Sequence, residues 1–126
     1  MEAVPTVKHG NEIAHTIGLG AMGLHTFFAL NAMEYGDEES IEFTDMYFRL
    51  LNYYSLKASN KIAKERNLKF YNIENSKYAT GEYFDAYIKE DFNIKSEKVR
   101  NLFADIHIPS VKDWEELKEN VKEFGL

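Results

Sequence analysis

The chain has 126 residues and a net charge of −6, so it is the size of one domain and lacks the cationic surplus that a grip on nucleic acid requires. Hydrophobic residues make up 44%, with nine Phe, eight Tyr and one Trp, a composition meant to bury a core rather than to stay disordered. There is no cysteine, which excludes disulfides, thiolate metal sites and thiol nucleophiles and fits a cytoplasmic protein.

Residues 1–12 are polar and carry Pro5, Gly10 and Asn11, which predicts an extended leading segment. A single helical unit is expected over 13–126, opening with one short strand near 13–19 and a helix over 21–33 that buries Met22, Phe27, Leu30 and Met33. The nearly uncharged run 13–33 contains His15, His25 and three glycines and lacks a basic start and a cleavage pattern, so no targeting or membrane segment is read there.

The strongest helical signal runs from Glu38 to about Arg66. Phe43, Tyr47, Leu50, Tyr54, Ala58 and Ile62 recur at steps of three and four behind Asp37, a suitable N-cap. Phe48, Leu51 and Tyr53 make the stretch 46–56 apolar off that face as well, which predicts that part of its wall comes from elsewhere. Lys57, Lys61, Lys64 and Arg66 suit a helix C-terminus, with Lys61 and Glu65 one turn apart; a solvated face is the favoured reading over an anion site. Residues 70–80 read as irregular, 81–88 as a short helix burying Phe84 and Ile88, and Ser96 as the cap of a turn or two bearing Val99, Leu102 and Phe103. Last, Ser110 and Asp113 form a capping pair ahead of Trp114, Leu117, Val121 and Phe124, and Gly125 stands where a helix terminates. The expectation is mostly α, about five helices plus the one strand.

Three constellations could carry chemistry. Gly18-Leu19-Gly20-Ala21-Met22-Gly23 spells the dinucleotide fingerprint G-x-G-x-x-G, but residues 9–16 supply few apolar side chains for a buried strand ahead of it, and the residues before Asp37 and Glu38 read as helix and turn. The favoured reading is a glycine-lined turn that packs closely against backbone. His9, His15, His25 and His107 lack metal-ligand spacing, so no metal site is expected. A redox-active tyrosine is weighed against packing, which eight tyrosines at helical apolar positions favour. No catalytic, cofactor-binding or metal-binding residue is therefore expected.

Several blocks in one order carry a resemblance: 10–12 through 17–25, Tyr35-Gly36, 42–48, 56–66, 76–85, and Ile106-His107-Ile108-Pro109 with Asp113-Trp114. Together they resemble an internal segment of the large, catalytic subunit of class Ib ribonucleotide reductases. The resemblance implies part of a ten-stranded α/β barrel, between the active-site cysteine loop and the phosphate-binding strand and turn. It implies reduction of ribonucleoside diphosphates to deoxyribonucleotides for DNA synthesis by cysteine-radical chemistry. None of the family's catalytic cysteines can be carried onto this sequence, so the expectation is a helical scaffold, inactive alone and without a cofactor of its own. Its implied partners are the remainder of a large subunit and, through it, the small radical-generating subunit, with no nucleic acid and no membrane. Gly18, Gly20 and the apolar flank 46–56 are the expected contacts, as packing elements. A stand-alone helical module that binds reductase subunits, and a nucleotide-binding enzyme using Gly18–Gly23, are the competing readings.

Overall fold

The computed structural model describes residues 4–14, 17–90 and 92–126. Among them are seven α-helices and no strand: α1 Pro5–Ala14, α2 Leu24–Leu30, α3 Glu38–Arg66, α4 Lys77–Thr80, α5 Asp85–Lys89, α6 Glu97–Leu102 and α7 Val111–Phe124, with 3-10 turns at Ile73–Asn75 and Glu82–Phe84.

Two expectations at the N-terminal end are corrected. Helix α1 occupies most of the segment expected to be extended. Pro5 stands in its first turn, where a missing N–H costs no helical bond, and Lys8 and Glu12 pair at 3.7 Å one turn apart. The strand expected near 13–19 is not found: Ile13 and Ala14 close α1, residues 17–19 have no regular structure, and 15–16 lie outside the described residues. A strand needs a neighbour for its backbone groups, and no described residue supplies one.

Helix α2 is shorter than the 21–33 expected because Gly23, at φ 81°, holds a left-handed conformation that starts the helix only after it. Its buried side agrees with the expected one only in part. Phe28 and Met33 are buried and Phe27 half-buried, whereas Met22 and Leu30 face solvent.

Helix α3 keeps its expected limits. The Asp37 carboxylate accepts from the Ser40 N–H at 2.7 Å, and the Ser40 hydroxyl accepts in return from the Gly36 N–H at 2.9 Å. Asn67 at φ 51° ends the helix in the left-handed region, its N–H donating to the Ala63 carbonyl. The buried face is Ser40, Phe43, Met46, Leu50, Tyr53, Leu56, Asn60 and Ala63. It agrees with the expected stripe only at Phe43 and Leu50. Steps of three dominate the observed series, while the steps of four from Leu50 through Tyr54 and Ala58 to Ile62 each advance about 40° the other way round the helix. Tyr54, Ala58 and Ile62 are accordingly exposed.

Two apolar clusters lie along α3. The N-terminal one joins Phe28, Met33, Phe43, Met46 and Leu50 to Ile94, Val99 and Phe103 from α6 and its flanks. The C-terminal one joins Tyr53 and Leu56 to Phe84 and to Trp114, Leu117 and Val121 of α7. Polar ties reinforce both ends: the Glu42 carboxylate accepts from the Lys95 and Ser96 N–H groups at 2.6 and 2.9 Å. Buried Asn60 donates to the carbonyls of Asn120 and Gly125 at 3.1 and 2.7 Å.

Helix α7 follows its expected stripe and carries a full capping box between Ser110 and Asp113. Gly125 at φ 83° follows it, and a Cβ there would lie 2.8 Å from Lys69 and 3.2 Å from Ile73. The Ser110 hydroxyl and N–H hold the Asp113 carboxyl below its ordinary 3.8, and the Ser40 N–H does the same for Asp37. A carboxyl lowered in the folded state stabilises it above the unfolded value and loses that contribution as pH falls through the folded one. The urea midpoint is therefore expected to drop as pH is taken below about 4. Ser110→Ala should cost about 0.5–2 kcal/mol at neutral pH and weaken that acid dependence; urea titrations of both forms at neutral and acid pH check it.

Candidate functional site

Residues 17–23 stand away from the body of the fold. Ile17, Leu19 and Met22 are exposed at 90, 62 and 99%, and a Cβ built on Gly18, Gly20 or Gly23 meets nothing within 4 Å. Among the described residues, then, no backbone packs closely on these glycines. The segment leads into α2 but follows no strand among the described residues, so the frame that would aim phosphate oxygens at a helix N-terminus in a dinucleotide site is not built here.

The histidines do not converge. His9 is exposed on α1, His25 is exposed on α2 with its ring 5.8 Å from Tyr35, and His107 lies 3.4 Å from Asp113 near the start of α7. His15 lies outside the described residues. Among the described residues no group of three or more His, Asp and Glu side chains could hold a metal ion.

Lys57, Lys61 and Lys64 border a groove of about 440 Å³ between α3 and α7, but Asp113 and Glu116 line it too. The lysines are otherwise engaged: Lys61 pairs with Glu65 at 3.8 Å, and the Lys57 and Lys64 amines stand 5.5 and 4.2 Å over the rings of Tyr53 and Phe124. A groove lined by both signs of charge has no strong preference for an anion.

The tyrosines gather where α3, α5 and α7 meet. Tyr87 stacks on Trp114 at 4.3 Å, Trp114 meets Tyr53 edge-on at 4.9 Å, and Tyr83 links Tyr87 to Tyr78 at 5.9 and 4.5 Å. Burial pushes Tyr53 and Tyr78 up to about 12, aided by the Asp113 charge for Tyr53 and by Tyr83 for Tyr78, and burial raises Tyr87 as well. These phenols stay protonated at neutral pH. They are core side chains that hold the C-terminal cluster together, with Tyr83 donating to Asn52 at 3.0 Å.

Two of the most connected polar side chains were not singled out in the sequence. The Arg49 guanidinium donates to the Tyr87 and Glu90 carbonyls at 3.1 and 2.9 Å and lies 5.1 and 5.5 Å from the Tyr87 and Phe92 rings. Asn60 ties α3 to the end of α7. Arg49 gave no signal in the hydrophobic pattern. Asn60 did give one, since it sits seven residues beyond Tyr53 on the buried series. Both serve architecture.

The sequence is more telling than any local geometry. The family model described as "Ribonucleotide reductase, barrel domain" matches residues 2–126. The chain belongs to that family. It is 45% identical over 122 residues to the ribonucleoside-diphosphate reductase subunit alpha of Bacillus subtilis, covering 97% of this chain and 17% of that protein. The subunit alpha of Mycoplasma pneumoniae is 41% identical over 131 residues, covering all of this chain and 18% of the relative. The ribonucleoside-diphosphate reductase 1 subunit alpha of Salmonella typhimurium is 32% identical over 124 residues, covering 98% and 15%. The chain thus spans about a sixth of the length of these curated relatives. The regular structure of its described residues is helical, and none of those helices is long and apolar enough to cross a membrane.

Proposed function

We propose that this chain supplies helical scaffold to the barrel domain of a class Ib ribonucleoside-diphosphate reductase large subunit, in the cytoplasm, and does not turn over by itself. The observation that carries the reading is a family match along residues 2–126 of a chain that contains no cysteine. Reduction of a ribonucleotide needs redox-active groups, and the side chains gathered here are packing aromatics, capping carboxylates and structural amides. Chemistry would then belong to the remainder of a large subunit, which the exposed segment around Gly18 and Gly20 would meet as a packing element, with the small radical-generating subunit reached only through that remainder.

The test is ribonucleoside-diphosphate turnover with a small subunit and a reductant, run with this chain alone and with polypeptides supplying the flanking parts of the large subunit. Activity on mixing only is the expected result. Turnover by the chain alone overturns the reading, and so does inactivity of the mixture when the flanking pieces are shown to be folded.

A second reading has its own support. Both clusters close around α3 with their caps in place, as they would in a helical module that folds alone and binds reductase subunits. Capture of intact reductase subunits by this chain, together with inactivity in the mixing assay, would favour it.

A further inference from the structure

Trp114 is 1% exposed, and its indole N–H is buried with no hydrogen-bond partner among the described residues. An unmatched buried donor is costly and calls for an acceptor. The same side chain lines a cavity of about 20 Å³, walled also by Met46, Arg49, Leu50, Phe92 and Ile108. A space of that size holds one particle about as large as a water molecule and is too small for a phosphate or a carboxylate-bearing molecule.

Arg49 brings charge to the same cavity. Its side chain is 15% exposed, its Nη2 is committed to the Tyr87 and Glu90 carbonyls at 3.1 and 2.9 Å, and the Tyr87 and Phe92 rings lie 5.1 and 5.5 Å from the guanidinium carbon. These contacts fix the group in place without neutralising it. Nη1 stands 4.0 Å from the Glu90 carboxylate, beyond hydrogen-bond reach, and that carboxylate belongs to a side chain 76% exposed, so solvent screens the pair. Val111, on the same wall, is the first residue of α7, whose positive end adds to the field. A water in this space has two protons of its own to place among mostly apolar walls, whereas a monatomic anion only accepts.

We propose that the cavity is a halide site, with chloride as its ordinary occupant, held by the Trp114 N–H and the Arg49 guanidinium and opposed by the Glu90 charge. The proposal stands apart from the reductase reading, since every group in it belongs to this chain. An ion that binds the folded chain alone also stabilises the fold by mass action.

Bromide titration in sodium gluconate at constant ionic strength tests it, because gluconate is too large for the cavity and bromide quenches an indole that it touches. Trp114 is the chain's only tryptophan, and its burial shields it from collisions in solution. Its emission should fall to a plateau while the lifetime of the remaining fluorescence stays constant, and chloride should displace bromide and restore the signal. Glu90→Gln should lower the midpoint about threefold, the size of a screened charge interaction. Arg49→Gln should raise it by about tenfold or more, with far-UV circular dichroism to check the fold. A damaged fold does not bind more tightly, so the Glu90→Gln gain decides the matter even where the Arg49 variant unfolds. A linear quench with a falling lifetime overturns the proposal, as does bromide quenching that chloride leaves untouched. So does a Glu90→Gln chain that binds bromide no more tightly than the parent, or a folded Arg49→Gln chain that binds it equally well.

Discussion

Replacing Trp114 by Ala is expected to remove about 3–5 kcal/mol of stability, a large share of the roughly 5–15 kcal/mol that holds a domain folded. Trp114 is 1% exposed, stacked on Tyr87 and edge-on to Tyr53, and it shares its cluster with Phe84, Leu117 and Val121. Truncation would leave a cavity among rigid rings from α3, α5 and α7 that cannot all collapse into it. Trp114→Phe separates the ring from its polar atom. The indole N–H is buried without a hydrogen-bond partner, so the phenyl ring removes an unsatisfied donor while retaining much of the stack, and the loss should be well below that of Ala. Urea unfolding followed by far-UV circular dichroism measures both, because the chain has no other tryptophan to report by fluorescence. Equal losses for the two variants would show that the stack on Tyr87 contributes little and that the indole's size alone matters.

Elements announced by their own caps were legible. Asp37 and Ser110 each place a side-chain oxygen on a free N–H of the first turn, and this local chemistry survives any change in what the helix packs against. Trp114, Leu117 and Val121 were read as buried for the same reason, since α7 is amphipathic about a single line. Helix α3 was harder because it carries two apolar lines. A pattern of hydrophobic residues does not say which line is covered, and the series Tyr54, Ala58, Ile62 belongs to the exposed side. Asn60 falls on the covered line, but a polar residue there is passed over when only apolar positions are counted, although its amide closes the end of α7.

The N-terminal misreadings share a cause. Gly10, Asn11 and Pro5 were weighted as breakers, but a proline in the first turn and a Lys8–Glu12 pair permit a helix there, and apolar residues at 13–19 make a strand only when a neighbouring strand exists to pair with. Of a site, the sequence offered only the glycine run, the histidines, the lysines and the tyrosines to weigh. No arrangement of His, Lys or Tyr in this sequence had the spacing of a reaction centre, while the ordered blocks from residue 10 to Trp114 identified the family, whose match along residues 2–126 is a property of the whole chain rather than of any cluster.

Phe43→Ala tests whether the two clusters form one cooperative unit. Phe43 is 5% exposed, stacked at 4.6 Å on Phe27 and 5.0 Å on Phe103 and edge-on to Phe28 at 5.6 Å, so its loss should also cost about 3–5 kcal/mol. Ten residues of α3 separate it from Tyr53, about 15 Å, and sites so far apart with no shared partner add within about 0.5 kcal/mol. The double variant with Trp114→Ala should therefore lose about 6–10 kcal/mol, enough to unfold the chain at ambient temperature. What joins the clusters is the uninterrupted helix. It has no glycine or proline between Glu38 and Arg66, so fraying its first half would propagate toward the second rather than stop at a hinge. In the Phe43→Ala chain, fluorescence of Trp114 reports the distant cluster and far-UV circular dichroism reports the helices. The two urea transitions should coincide at a lower midpoint than in the parent. An unmoved fluorescence transition beside an early loss of helix would show instead that α3 bridges two units that melt separately.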